Sequence, residues 1–260
     1  MNYNLMINFN VDACIQAKQT LRKYNDIFDK YYRLEIVIGN CMELATEYNG
    51  CDYEGFLQFY CSTSNRNCNQ RHKGLSEQQI IDLAHKFQDK CYELRGVEAK
   101  QYDISLYLNK LLCHIVVESL FARNKEYEIK TSFEHFNYKV IHSDRDEDIL
   151  MGIDLKVYDK DGILKCLIQV KPHTFFIGNC EKNKMMLQDR LDIFEKEKKG
   201  NEKFPNVPYF YIIYNTNNGN WIKNAKTDTF RFKISDLITE TGMAKLCMRD
   251  ILSNQYKTFF

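Results

Sequence analysis

Residues 152–172 constrain this chain more than any other stretch: Gly152-Ile-Asp-Leu-Lys-Val-Tyr-Asp-Lys-Asp-Gly-Ile-Leu-Lys-Cys-Leu-Ile-Gln-Val-Lys-Pro172. Two β-rich runs flank Asp159-Lys160-Asp161-Gly162, whose residue types suit a tight turn, so the segment reads as a β-hairpin. That turn sets Tyr158 opposite Ile163 and Asp154 roughly opposite Leu167. Side chains alternate between the two faces of a strand, and opposed residues of an antiparallel pair share a face. One face then carries Ile153, Leu155, Val157, Leu164, Cys166, Ile168 and Val170, a core face. The other gathers Asp154, Lys156, Gln169 and Lys171. Asp154 and Gln169 become diagonal neighbours, about 7–8 Å apart at Cα and closer at their tips.

The surroundings of the hairpin mix helix and strand. Ile104–Arg123 predicts a helix with Leu108, Leu111, Leu112, Ile115, Leu120 and Phe121 on a broad apolar face. Strands are expected over Tyr138–His142, Leu150–Tyr158, Ile163–Lys171 and Pro208–Asn215, with a charged helix Asn183–Lys199 before the last. The order is helix, three strands, helix, strand, which points to an α/β or α+β architecture with a central mixed sheet flanked by helices. Residues 1–102 read instead as a mostly helical N-terminal region, distinct from a core over 103–260. Ala13–Lys30 and Ser76–Arg95 carry apolar residues at helical spacing, and Ser76 with Gln79 forms a capping box. Cys61–Gly74 reads as a polar loop.

The polar face of the hairpin suits phosphodiester hydrolysis. A carboxylate at Asp154 would hold Mg²⁺, a hard cation that takes oxygen ligands and keeps several waters. Lys171 would orient an attacking water and offset charge on the phosphate in the transition state. Gln169 offers a neutral carbonyl oxygen to the metal or its water shell.

Asp154 followed by Gln169-Val170-Lys171 on the next strand resembles the PD-(D/E)XK nuclease signature, in which a lone acid precedes an (Asp/Glu)-x-Lys strand. Gln169 stands where the commonest form has a second acid, a D…Q-x-K variant that resembles the motif of Mrr-type restriction nucleases. The substitution lowers the negative charge of the site and favours one metal ion over two. The resemblance spans roughly residues 103–215 and implies a restriction-endonuclease-like core with Mg²⁺, or Mn²⁺ in its place. It also implies an acid from the preceding helix, matched by Glu118, which shares a stripe with Lys110 and His114. On the following helix it implies polar contacts to DNA, for which Gln188 and Arg190 are candidates, with Lys182 and Lys184 meeting backbone phosphates. The catalytic set is thus Asp154, Gln169, Lys171 and Glu118, with Asp154, Gln169 and Glu118 as metal ligands.

The role that fits a stand-alone chain with a helical extension is a type II restriction endonuclease acting on double-stranded DNA as a homodimer, since cutting both strands of a palindrome needs two sites about a two-fold axis. A junction resolvase and a DNA-binding module without catalysis are the alternatives. No small-molecule cofactor is expected. The formal charge of +1 argues against indiscriminate coating of DNA while allowing a basic cleft. The absence of a run of about eighteen apolar residues, and of a basic segment leading into an apolar one at the N-terminus, predicts a cytoplasmic protein without a membrane span. Its ten cysteines are expected to be reduced. Cys51, Cys61, Cys68 and His72 lack the close pairing of a zinc site, so chance explains them better. The acidic run Asp144–Asp148 reads as a solvated loop, and Lys196–Lys199 as the solvated end of a helix.

Overall fold

The computed structural model describes residues 7–31, 37–48, 50–177 and 184–259. The protein is α+β and divides into two compact units, Met1–Asn124 and Lys125–Phe260. The division therefore falls beyond the expected boundary at 102/103. The reason is packing: Tyr107, Leu111, Leu112, Ile115 and Val116 are buried in one cluster with Leu21, Tyr24, Phe28, Phe56 and Phe87.

The first unit is helical throughout its described residues. Its helices are α1 (Val11–Thr20), α2 (Asn25–Tyr31), α3 (Cys41–Glu47), α4 (Tyr53–Ser62), α5 (Glu77–Arg95) and α6 (Ile104–Leu112). Five of them begin at an Asn, Asp or Ser whose side chain accepts from a backbone N–H of the first turn: Asn10, Asn40, Asp52, Ser76 and Asp103. Each such cap satisfies a donor that the helix itself leaves orphaned. The capping box of Ser76 and Gln79 is present as the sequence predicts. Inside, Phe87 meets Phe28 at 4.9 Å and Tyr107 at 5.4 Å between ring centroids, both edge-on.

The helix begun at Ile104 does not stop at Arg123. It passes through a π-helical stretch, Cys113–Glu118, and continues as α7 (Ser119–His135). The whole of Ile104–His135 is long and apolar enough to cross a bilayer by length and composition, contrary to the expectation of no such run. Its apolar side chains at Leu111, Leu112, Ile115, Val116 and Leu120 are nonetheless buried in the protein core.

In the second unit the strands β1 (Lys139–His142), β2 (Leu155–Tyr158), β3 (Leu164–Pro172), β4 (Tyr209–Tyr214), β5 (Trp221–Ile222) and β6 (Gln255–Tyr256) form a mixed sheet in sequence order. All neighbours run antiparallel except β3 and β4, which are parallel. A parallel pair needs a crossover, here made by residues 173–208 with α9 (His173–Ile177) and α10 (Lys184–Lys203). A further helix, α8 (Arg145–Met151), stands between β1 and β2, where the sequence suggested a loop running into a strand. Its ends explain it. Asp144 and Glu147 form a capping box, and Gly152 closes it in the left-handed region at φ +65°.

The hairpin is present, with its register displaced by two residues from expectation. Leu155 pairs with Ile168 and Val157 with Cys166, while Tyr158 pairs with Leu164, leaving Lys165 as an extra residue in β3. A displacement of two residues leaves unchanged which residues share a face near Asp154. Leu167, Gln169 and Lys171 stand beside Tyr209, Tyr211 and Ile213 of β4. Leu167, Tyr209, Tyr211 and Ile213 pack with Ile153, Phe176 and Ile193 in a second core cluster. The face expected to be polar is therefore covered, and the polar site emerges from an apolar layer.

Candidate active site

Asp154 stands at the entry to β2, two residues beyond the glycine that ends α8. Its N–H donates to the Ile168 carbonyl (2.9 Å), and its own carbonyl accepts from the Ser143 N–H (3.0 Å). Continuing the β2–β3 register by one residue brings it directly across from Gln169, closer than the diagonal placement expected. Its carboxylate is half-buried and accepts from the Val170 N–H at 2.5 Å. Burial pushes the Asp154 carboxyl up to about 8, against the pull of Lys171, and the charges of Glu126 and Asp148 add to the rise. Charges on two other elements thus act on Asp154: Glu126 on α7 and Asp148 on α8.

Gln169 is 2% exposed. Among the described residues its Oε1 has no hydrogen-bond partner, although it is buried. Buried polar atoms are paired in the great majority of cases, so an orphaned amide oxygen beside carboxylates needs a reason. Gly152 makes room for this side chain: a Cβ there would lie 2.5 Å from Gln169 Nε2. Lys171 is half-buried on the same face of β3, and its charge acts on both Asp154 and Asp148. Asp148 is raised by burial and by Glu126, while Lys171 and Lys196 oppose the rise. Glu126 lies 3.5 Å from Nδ1 of His142 on β1.

Three charged residues near the hairpin have a structural job. Glu147, 3% exposed, accepts from Lys156 Nζ (2.6 Å) and Lys203 Nζ (3.1 Å). Burial works against its charge, yet the two lysines hold its carboxyl below the usual range. Lys156 is thereby turned to Glu147, although the hairpin pattern groups it with Asp154. The run Asp144–Asp148 is helical instead of a loop, with Asp144, Asp146 and Asp148 exposed as expected: it supplies one cap, one buried anchor in Glu147 and, in Asp148, a charge that acts on Asp154.

Glu118 needs correcting as the helix acid. It forms an ion pair with Lys18 and bonds Nδ1 of His114 (2.8 Å), all within the unit of residues 1–124. Burial opposes its charge, but His114 and Lys18 draw its carboxyl down to about 2. The acid whose charge reaches Asp154 is Glu126, two helical turns further along. Expecting the helix to end at Arg123 left Glu126 out of consideration; the repeat of the stripe Lys110, His114, Glu118 at the same spacing would have reached it.

Arg190 is likewise not a surface contact for DNA. It is fully buried, its Nε donating to the Phe175 carbonyl (2.7 Å) and its Nη1 to that of Gly242 (3.2 Å). Gln188 is exposed and bonded to Asp192 (2.7 Å). Lys182 lies outside the described residues, as does the side chain of Lys184, whose backbone opens α10. Lys196 does not mark a helix end, since α10 continues to Lys203; it faces Asp148 and Asp189.

Among the described residues no three His, Cys, Asp or Glu side chains stand close enough to enclose a metal ion by themselves. In the cysteine-rich loop His72 bonds Glu43 (2.7 Å), and Cys68 faces the His72 carbonyl (3.7 Å). The donors around Asp154 do fit a hard cation. Mg²⁺ is commonly held by one or two carboxylates and keeps several waters. The Asp154 carboxyl and the unpaired Gln169 amide oxygen are two oxygen donors of that kind. Comparison of the chain with protein families, with curated proteins and with solved structures finds no match.

Proposed function

We propose that this chain is a Mg²⁺-dependent DNA endonuclease of the PD-(D/E)XK type, acting as a type II restriction enzyme. The observation that carries the reading is the opposition of Asp154 to Gln169 across the β2–β3 hairpin, with Lys171 on the same face. The mixed sheet in which β3 runs parallel to β4, with α7 before it and α10 in the crossover, supports this reading.

In this reading Asp154 and the Gln169 amide oxygen hold the cation, and Glu126 supplies the helix acid in place of Glu118. Bound there, Mg²⁺ or Mn²⁺ would polarise the scissile phosphate and make water a better nucleophile at neutral pH. Lys171 orients the attacking water and offsets the charge that develops on the phosphate. The Val170 N–H fixes the rotamer of Asp154. The apolar layer of Leu167, Tyr209 and Tyr211 holds the donors in a low-dielectric setting, where such charges act strongly. A homodimer would supply the second site for the second strand.

The test is digestion of unmethylated phage DNA with Mg²⁺ by the wild type, Lys171→Ala, Glu126→Gln and Glu118→Gln. Discrete bands are expected from the wild type and Glu118→Gln. Lys171→Ala should be inactive, and Glu126→Gln slower by about 10²-fold or more. A smear, or preference for branched substrates, would favour a structure-directed nuclease. Intact DNA in every lane, with Mn²⁺ as well, would leave a binding module.

A further inference from the structure

Residues 223–236, which the proposed chemistry does not use, follow β5 as a basic arm of the second unit. Asn224 and Thr229 pair antiparallel around a turn of Ala225-Lys226-Thr227-Asp228. The Asn224 N–H donates to the Thr229 carbonyl (2.7 Å), and the Asn224 carbonyl accepts from Thr227 (3.2 Å) and Asp228 (2.9 Å). Asn224 is only 4% exposed, and its side chain accepts from the Lys226 N–H (3.0 Å) and donates to the Arg231 carbonyl (3.2 Å). A buried asparagine thus ties down a turn that carries Lys226 at its tip. Beyond the turn, Phe232 is buried and exchanges two backbone hydrogen bonds with Tyr211 of β4 (2.9 and 3.0 Å). Alternation along extended backbone sends Arg231 and Lys233 away from the face that Phe232 buries, and both are exposed.

The charges of the arm do not cancel. Asp228 is paired with Lys223 (2.7 Å). Asp236 accepts from the Lys233 N–H (2.9 Å) and faces the Asn224 amide (3.5 Å). Among the described residues Lys226, Arg231 and Lys233 have no ion-pair partner, and the Arg231 guanidinium lies 5.4 Å from the centre of the Phe210 ring. Four cations therefore stand against two carboxylates, in a chain whose formal net charge is only +1. The turn carries no large apolar side chain to sink into a bilayer or an apolar groove. What it presents is fixed positive charge. Arg231 and Lys233 are about 6.6 Å apart along extended backbone, close to the axial rise of two nucleotides of one DNA strand.

We propose that this arm is a contact for the DNA backbone, with Lys226, Arg231 and Lys233 meeting phosphates. The choice of DNA rests on the proposed function, while the contact uses none of the residues assigned to cleavage. Phosphate contacts hold and orient a duplex without reading its sequence. Because hydrogen bonds already order the backbone of the arm, binding loses little chain entropy there.

Fluorescence anisotropy of a labelled duplex with the full chain in EDTA, over a series of salt concentrations, tests this apart from cutting. Lys226→Ala/Arg231→Ala/Lys233→Ala should bind about tenfold more weakly at low salt, whatever the duplex sequence. Its slope of log affinity against log salt should flatten by about 0.9 for each lost contact. Lys226→Ala/Lys233→Ala, which leaves Arg231 on Phe210, should show about two-thirds of that change in slope, and Lys226→Arg/Lys233→Arg should bind as the wild type. Lys160→Ala, at an exposed cation elsewhere in the same unit, should change neither quantity. No binding by the wild type, wild-type binding by the triple variant, or an equal loss from Lys160→Ala would overturn the contact. So would a triple variant that loses only binding to vesicles of anionic phospholipid. A wild type that binds through the arm but cuts nothing with Mg²⁺ or Mn²⁺ would overturn the nuclease reading and leave the contact standing.

Discussion

Burial raises the Asp154 carboxyl and so favours its protonated form, with a consequence for stability separate from catalysis. Its folded value of about 8 lies well above the roughly 3.9 of an unfolded aspartate. Between those values the native chain keeps a proton that the unfolded chain has released, so stability falls as pH rises through the window. In EDTA, the melting temperature of Asp154→Asn should gain on that of the wild type as pH rises from 5 to 9, by several degrees in all. A gap that does not widen with pH would refute this. Mg²⁺ at pH 8 should raise the wild type's melting point and leave the variant's unchanged. Alternation placed Asp154 and Lys171 on one face, and a register displaced by two residues keeps them there. Glu126 was not legible, because nothing local in Arg123-Asn124-Lys125 announces that the helix runs on.

At the scale of elements, the misread pieces each carried a signal that a competing pattern masked. Asp144-Arg-Asp-Glu-Asp148 has the charge density of a loop, yet Asp144, Glu147 and Gly152 are the start and stop of a helix. The hairpin register moved by one residue at the turn, where Asp159 bonds Ile163, and by one more at Lys165, accommodated as a bulge that no residue type there demands. Arg190 was read as a surface residue of a charged helix, whereas α10 uses it to grip two carbonyls, one on α9 and one in the turn at Gly242. Arg190→Met should therefore destabilise the chain by about 3 kcal/mol, by leaving those buried acceptors unpaired. Urea unfolding measures it, and a loss under about 1 kcal/mol would mean that the carbonyls find other donors. Arg190→Lys should recover only part, since one ammonium cannot reproduce the guanidinium fork.

For the molecule as a whole, the α+β class and the helical nature of the N-terminal part followed from periodicity, whereas the position of the division between units did not. Sequence can show that Ile104–Leu112 is an amphipathic helix; only packing decides which core takes its apolar face. The sheet of the second unit likewise has two histories of assembly written into it. Strands β1, β2 and β3 follow one another through short connections, while β4 reaches β3 only after residues 173–208 have crossed over. Closing a longer loop loses more chain entropy before any contact rewards it. The hairpin that holds Asp154, Gln169 and Lys171 should accordingly form ahead of the parallel pair. In pulse-labelled hydrogen exchange during refolding, amides of 155–158 should gain protection before those of 209–214. Simultaneous protection would mean that the meander waits for its crossover. If the expected order holds, the residues assigned to the chemistry take up their mutual register in a sheet still open on its β4 side, and the later strand closes around a site already drawn.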